Sequence, residues 1–178
     1  MRRLLSLLAV AVMAGAGGCS GRSTLTPVLP VDHVTQGGVS MEPTVKAGQV
    51  IAVAPVAKGY LATRGEIVVF HAPSDKWGPD TTLPFLKRVI AIGGETIACC
   101  DMKGAVIING TGLNERYVIK NSPLDTPPRP DVCQSRRFDE VRVPEGSIFV
   151  MGDNRAASID SRCAGPVPIT SVFAIMIG

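Results

Sequence analysis

Phe85-Leu86-Lys87-Arg88-Val89-Ile90-Ala91-Ile92-Gly93-Gly94-Glu95 reads as a β-strand from Leu86 to Ile92 that stops at a glycine pair. Aliphatic and β-branched residues fill it, apart from one lysine and one arginine side by side. Side chains alternate along a strand, so Lys87 and Val89 share one face and Arg88 takes the other. Lysine on a strand most often faces water at a sheet edge. Alternation permits the other arrangement as well, with Lys87 turned inward and Arg88 left in water.

Moving outward, Gln49 to Ala54 and Glu66 to His71 are further short β-branched runs bounded by glycine and proline. Ala105 to Ile108 runs into Asn109-Gly110, a dipeptide that accepts the positive φ of a tight hairpin. Val141-Arg142-Val143 and Ile148-Phe149-Val150-Met151 read as the next strand pair, and Ile169 to Ile177 as the last strand. Between them, Asn121 to Phe138 is a proline-rich loop. No internal repeat or amphipathic helix stands out. The 19 glycines and 14 prolines suit short strands joined by turns. The expected fold is mainly β and mostly antiparallel, its core carried by aliphatic residues because only 8 of 178 residues are aromatic.

A net charge of +3, with no basic stripe, gives no grounds for nucleic acid as a partner. The first 19 residues form a targeting segment. Arg2 and Arg3 precede an uncharged run from Leu4 to Gly18, which as a helix would cover about 22 Å against a hydrocarbon core of roughly 30 Å. The small residues running into Cys19 resemble a lipoprotein cleavage and lipidation site; an uncleaved signal anchor is the alternative. Either places the arginines in the cytoplasm and the rest of the chain outside, against the lipid bilayer. Residues 20–36 are polar and proline-containing, and read as an extracytoplasmic tether.

Four cysteines remain beyond Cys19: Cys99, Cys100, Cys133 and Cys163. A vicinal Cys99–Cys100 bridge is strained and rare, which leaves two cross-pairings or a partial set. The simplest outcome is one bridge tying the proline-rich loop to a neighbouring strand. No cysteine or histidine spacing suggests a metal, and His33 and His71 read as ordinary residues. Trp77, in Ser74-Asp75-Lys76-Trp77-Gly78-Pro79, either covers a small satellite core or dips into lipid headgroups.

A second stretch carries chemistry: Gly37-Gly38-Val39-Ser40-Met41-Glu42-Pro43-Thr44. A serine in a glycine-rich loop is usually only a turn residue. It becomes a nucleophile when a neighbouring base removes its proton, and a buried lysine is one of the few side chains able to do so. Burial penalises the ammonium and brings the lysine pKa down from about 10.4 toward the working range.

These stretches occur in order with Arg64 to Phe70 (RGEIVVF), Val106 to Tyr117 and Gly152 to Arg162 (GDNRAASIDSR). Together they resemble the sequence boxes of the type I signal peptidases, membrane-bound Ser-Lys endopeptidases that remove leader peptides from exported proteins. The resemblance implies an antiparallel β-barrel-like catalytic core spanning residues 37–178, with a smaller inserted β-rich lobe at about 94–142. It implies Ser40 as nucleophile and Lys87 as base, with no metal and no cofactor. Ser158 would hydrogen-bond Lys87 and orient its amine, while Asp160, Arg162, Asp153 and Arg155 hold the backbone around it. Gly38, Met41 and Pro43 would shape the turn and wall the cleft. The Ser40 N–H is the natural oxyanion donor. Some members add a hydroxyl two residues earlier, where this chain has Gly38, so a backbone amide or a water is left as the second donor. Gly93-Gly94 stands where a proline is common, and Cys163-Ala-Gly-Pro lacks the aromatic residues often found after the last box.

The implied substrates are preproteins carrying signal peptides, cut after small residues by a monomeric, membrane-anchored enzyme. A dedicated processor of one partner, or an inactive binding lipoprotein of the same fold, are the alternatives. Cytosolic self-cleaving repressors share the dyad, but the N-terminal segment speaks against them.

Overall fold

Ile67-Val68-Val69-Phe70 is buried at every position rather than at alternate ones, as expected of a strand covered on both faces. This computed structural model describes residues 30–178 except 79, 81, 129–132 and 134. The targeting segment and Cys19 therefore lie outside the described residues. The strands are β1 (Asp32–Thr35), β2 (Val50–Pro55), β3 (Ile67–His71), β4 (Pro84–Ile92), β5 (Thr96–Cys99), β6 (Val106–Ile108), β7 (Thr111–Gly112), β8 (Phe138–Arg142), β9 (Ser147–Met151), β10 (Val167–Pro168) and β11 (Val172–Met176). One short helix, α1 (Ser161–Ala164), stands among them.

Seven strands form one sheet in the order β1-β2-β11-β3-β4-β9-β10, and four form a second in the order β7-β6-β5-β8. Every pairing between them is antiparallel. The fold is mainly antiparallel β with few helices, as the sequence predicts. No helix among the described residues is long and apolar enough to cross a membrane.

The faces of the larger sheet bury separate clusters. Val68, Phe70 and Val89 pack with Ile148, Val150, Val167 and Trp77 on one side. Ile67, Val69 and Leu86 pack with Met41, Val45, Ile51 and Val53 on the other. A third cluster joins the two sheets: Ile90, Ala91, Phe149 and Met151 meet Ile97, Val106, Ile108 and Val143. The consecutive residues Ile90 and Ala91 serve the same cluster because β4 is bulged against β9 between Val89 and Ala91.

The Asn109-Gly110 turn has φ of 48° and 80° at its two residues, the geometry the hairpin between β6 and β7 requires. Several expectations are corrected. The last residues of the supposed tether form β1, because Asp32 to Thr35 find the free edge of β2. Val141 to Val143 and Ile148 to Met151 do not pair: β8 joins β5 and β9 joins β4. Trp77 is 1% exposed, edge-on to Phe70 at 5.0 Å and to Phe85 at 5.4 Å, so it fills the main core and does not reach lipid. Cys99 and Cys100 do bridge each other, and Cys133 pairs with Cys163 on α1 rather than with a strand.

Phe149 stacks on Phe138 with ring centres 5.4 Å apart and is fully buried where the sheets meet. Phe149→Ala is expected to destabilise the protein by about 3–5 kcal/mol, read as a lower denaturation midpoint at unchanged slope.

Candidate active site

Val39, Ser40 and Met41 make a single 3-10 turn entered from the extended Gly38. Met41 and Val45 are fully buried and act as anchors, leaving Ser40 half-exposed and Pro43 at the surface. The last box holds the turn from behind. The Asn154 N–H donates to the Ser40 carbonyl at 3.0 Å, and the Asn154 side-chain amide donates to the Val39 carbonyl at 3.2 Å.

Lys87 sits opposite Val68 on β3 and is 4% exposed, so the inward turn that alternation permits is observed. Its Nζ donates to Ser40 Oγ at 2.8 Å and to the Leu86 carbonyl at 3.1 Å. The amine also lies 5.6 Å from the centre of the Phe85 ring. Burial pushes the Lys87 pKa down to about 8, opposed by the fields of Asp160 and Asp153 and assisted by that of Arg162. The arrangement presents a hydroxyl to an amine that can be neutral near physiological pH.

Arg88 is not left in water as expected. Its side chain is 13% exposed, because Asp153 takes it up from two directions, Nε at 2.9 Å and Nη2 at 2.7 Å. Its guanidinium also lies 4.2 Å from the centre of the Tyr117 ring. The Thr44 hydroxyl donates to the same Asp153 carboxylate. One acid thus ties the turn after Ser40 to the residue next to Lys87.

Asp160 is fully buried, caps α1 by accepting the Arg162 N–H, and accepts the Gly152 N–H at 3.1 Å. Arg162 donates to it from Nε at 2.8 Å and Nη2 at 2.9 Å. Burial pushes the Asp160 carboxyl up, but Arg162 and the bond from Gly152 outweigh it and hold the pKa below the ordinary carboxylate value. Arg155 is paired with Glu115 and donates to the Gly152 carbonyl at 3.0 Å. The Cys133–Cys163 bridge reaches the same place: Cys133 Sγ accepts the Asp160 N–H at 3.4 Å.

The structure therefore brings Ser40, Lys87, Asp153, Arg155, Ser158, Asp160 and Arg162 into one region. It corrects one expected contact. The Ser158 hydroxyl donates to the Ile159 carbonyl at 3.3 Å, while the bonds of Lys87 go to Ser40 and Leu86. Thr44, Glu115, Tyr117 and Gln36 were not singled out from sequence, and Arg88 was read only as solvated. Glu115 and Tyr117 lie in a quoted stretch, but nothing in the order of residues reveals that Glu115 meets Arg155.

Two outcomes follow from this packing. A Cβ at Gly152 would fall on the Ser40 carbonyl and 2.6 Å from Ser158 Cβ. Gly152→Ala is expected to destabilise by roughly 1–3 kcal/mol and to speed hydrogen exchange at the Asn154 amide, which would lose its Ser40 acceptor. The second concerns pH. The folded state lowers the Lys87 pKa from 10.5 to about 8, so between those values the unfolded chain binds more protons and stability rises with pH. Below about 8 the penalty is fully present. Lys87→Met is therefore expected to be more stable than wild type near neutral pH, by an order of a few kcal/mol, and to lose that advantage by pH 10.5, as urea unfolding at both pH values will measure.

The comparisons with known proteins agree on one family. The family described as signal peptidase, peptidase S26, matches residues 4–177. The chain is similar to the probable signal peptidase I-1 of Synechocystis, 36% identical over 137 residues, covering 75% of this chain and 63% of that one. It is 34% identical over 127 residues to signal peptidase I of Bacillus licheniformis, covering 70% and 62%. It is 33% identical over 138 residues to signal peptidase I of Bacillus caldolyticus, covering 76% and 71%. The chain thus spans just under two thirds of the length of the first two relatives.

Proposed function

The chain belongs to the signal peptidase family, peptidase S26, and from that premise we propose that it is a serine endopeptidase that removes signal peptides from exported preproteins. The observation that carries this reading is the 2.8 Å contact between the buried Lys87 amine and Ser40 Oγ. Neutral Lys87 takes the Ser40 proton as Oγ attacks the scissile carbonyl, and returns it to the leaving amine. A water activated by the same amine then releases the acyl group from Ser40. The Ser40 N–H supplies one donor to the tetrahedral oxyanion.

The remaining residues serve these two. Asp153 links the Thr44 side of the nucleophile turn to Arg88, beside the base. Asp160 and Arg162 hold Gly152 and α1, and Arg155 holds the Gly152 carbonyl. Ser158 packs against Gly152, with its hydroxyl donating to the Ile159 carbonyl. Substrates present small residues before the cut and lie extended along the cleft. The uncharged run after Arg2 and Arg3, with Cys19 as the lipidation candidate, keeps a monomeric catalytic domain on the extracytoplasmic face of the membrane. Sharing that surface with leader peptides raises the effective concentration of substrate.

Detergent-solubilised full-length protein is expected to cut a preprotein after a small residue, and Ser40→Ala and Lys87→Met to lose at least about a thousandfold in rate. In wild type, kcat should climb about tenfold per pH unit below the Lys87 pKa of about 8 and level off above it, since only the neutral amine is a base. Full activity of Lys87→Met, or a rate independent of pH through this range, contradicts the reading.

A further inference from the structure

The nucleophile oxygen has a second polar neighbour in the stretch that sequence reading assigned to the tether. Gln36 is 6% exposed, and its backbone is pinned on both sides. Its N–H donates to the Gln49 carbonyl at 2.9 Å, and its carbonyl accepts the Gly48 N–H at 2.7 Å. From that fixed base the side chain turns toward the Ser40 turn. Nε2 donates to the Gly38 carbonyl at 2.8 Å and lies 3.4 Å from Ser40 Oγ. The first contact fixes which way the amide faces, because the reverse placement would set two carbonyl oxygens against each other. An amide nitrogen carries two N–H groups. Gly38 takes one, and the other faces Ser40.

Resting on the peptidase reading above, we infer that Gln36 is a further catalytic residue, whose side-chain N–H donates to Ser40 Oγ and to the oxyanion that forms next to it. The Ser40 proton passes to Lys87 Nζ, the Oγ–C bond forms, and the carbonyl π pair moves onto oxygen. Gln36 keeps both its protons and adds a dipole where negative charge develops. The 3.4 Å separation is long for a finished hydrogen bond, and such contacts tighten once substrate is bound. An uncharged amide suits this place. It stabilises the oxyanion without adding to the charges that already act on Lys87, from Asp160 and Asp153 on one sign and Arg162 on the other. Gly38 has no side chain to offer a donor of its own, so the donor comes from two residues further back.

The test compares wild type with Gln36→Leu, Gln36→Asn and Gln36→Glu in preprotein cleavage by the solubilised full-length chain. Gln36→Leu keeps the volume and removes the donor; kcat is expected to fall roughly 100-fold with KM changed less than about threefold. Gln36→Asn withdraws the donor by one methylene and should fall between the two, which serves if the leucine variant does not fold. Gln36→Glu places a carboxylate beside the dyad, so the rise of kcat with pH should move up by about one unit, which reports that the side chain at position 36 faces the Lys87 amine. A folded Gln36→Leu with kcat within about twofold of wild type overturns the inference while leaving the peptidase reading intact. A folded wild type that cuts no preprotein overturns both.

Discussion

A lysine amine held out of water beside a serine hydroxyl is the constraint on which the rest of this structure depends. Lowering the Lys87 pKa from 10.5 to about 8 corresponds to about 3 kcal/mol of disfavoured ammonium, at roughly 1.4 kcal/mol per unit. That is a sizeable fraction of the stability of an ordinary domain. The fold sustains it by covering β3 and β4 on both faces, so that Lys87 stands in a row with Phe85 and Val89 and cannot turn outward without exposing them.

The charges around the site are handled differently from the lysine. Arg88 meets Asp153, Arg155 meets Glu115, and Arg162 meets Asp160, each pair largely out of water. Guanidinium groups stay protonated and need a partner when buried, and these pairs supply one. Lys87 instead donates to a hydroxyl and a backbone carbonyl, acceptors that do not lock the proton in place. The three arginine pairs fix backbone; the unmatched amine stays free to titrate. The loop after β7 contributes to this arrangement through Glu115 and Tyr117, and the Cys133–Cys163 bridge fastens α1.

Much of this was legible in the sequence. Short β-branched runs marked most strands of the larger sheet, and alternation in β4 permitted an inward Lys87. Resemblance of the ordered stretches to one family, rather than any periodicity, joined Lys87 to Ser40 across 47 residues. What escaped had physical reasons. β1 is a polar, proline-flanked stretch that becomes a strand only because the edge of β2 is open to it. β8 and β9 look like a pair in order but serve different sheets, a choice made by the cluster between the sheets. Arg88 looked solvated because alternation tells which face a residue takes, not whether an acid waits there. Gln36 carried no signal at all, since its role depends on backbone bonds to Gly48 and Gln49 that sequence does not reveal.

The proposed chemistry depends on the state of one amine, and its titration tests that most directly. Heteronuclear NMR of the lysine Nζ region in the full-length chain, with Lys87→Met to assign the signal, should show Lys87 losing its proton at about pH 8. A midpoint near the ordinary lysine value of about 10.4 would contradict the account, because the amine would then be charged whenever Ser40 needed a base.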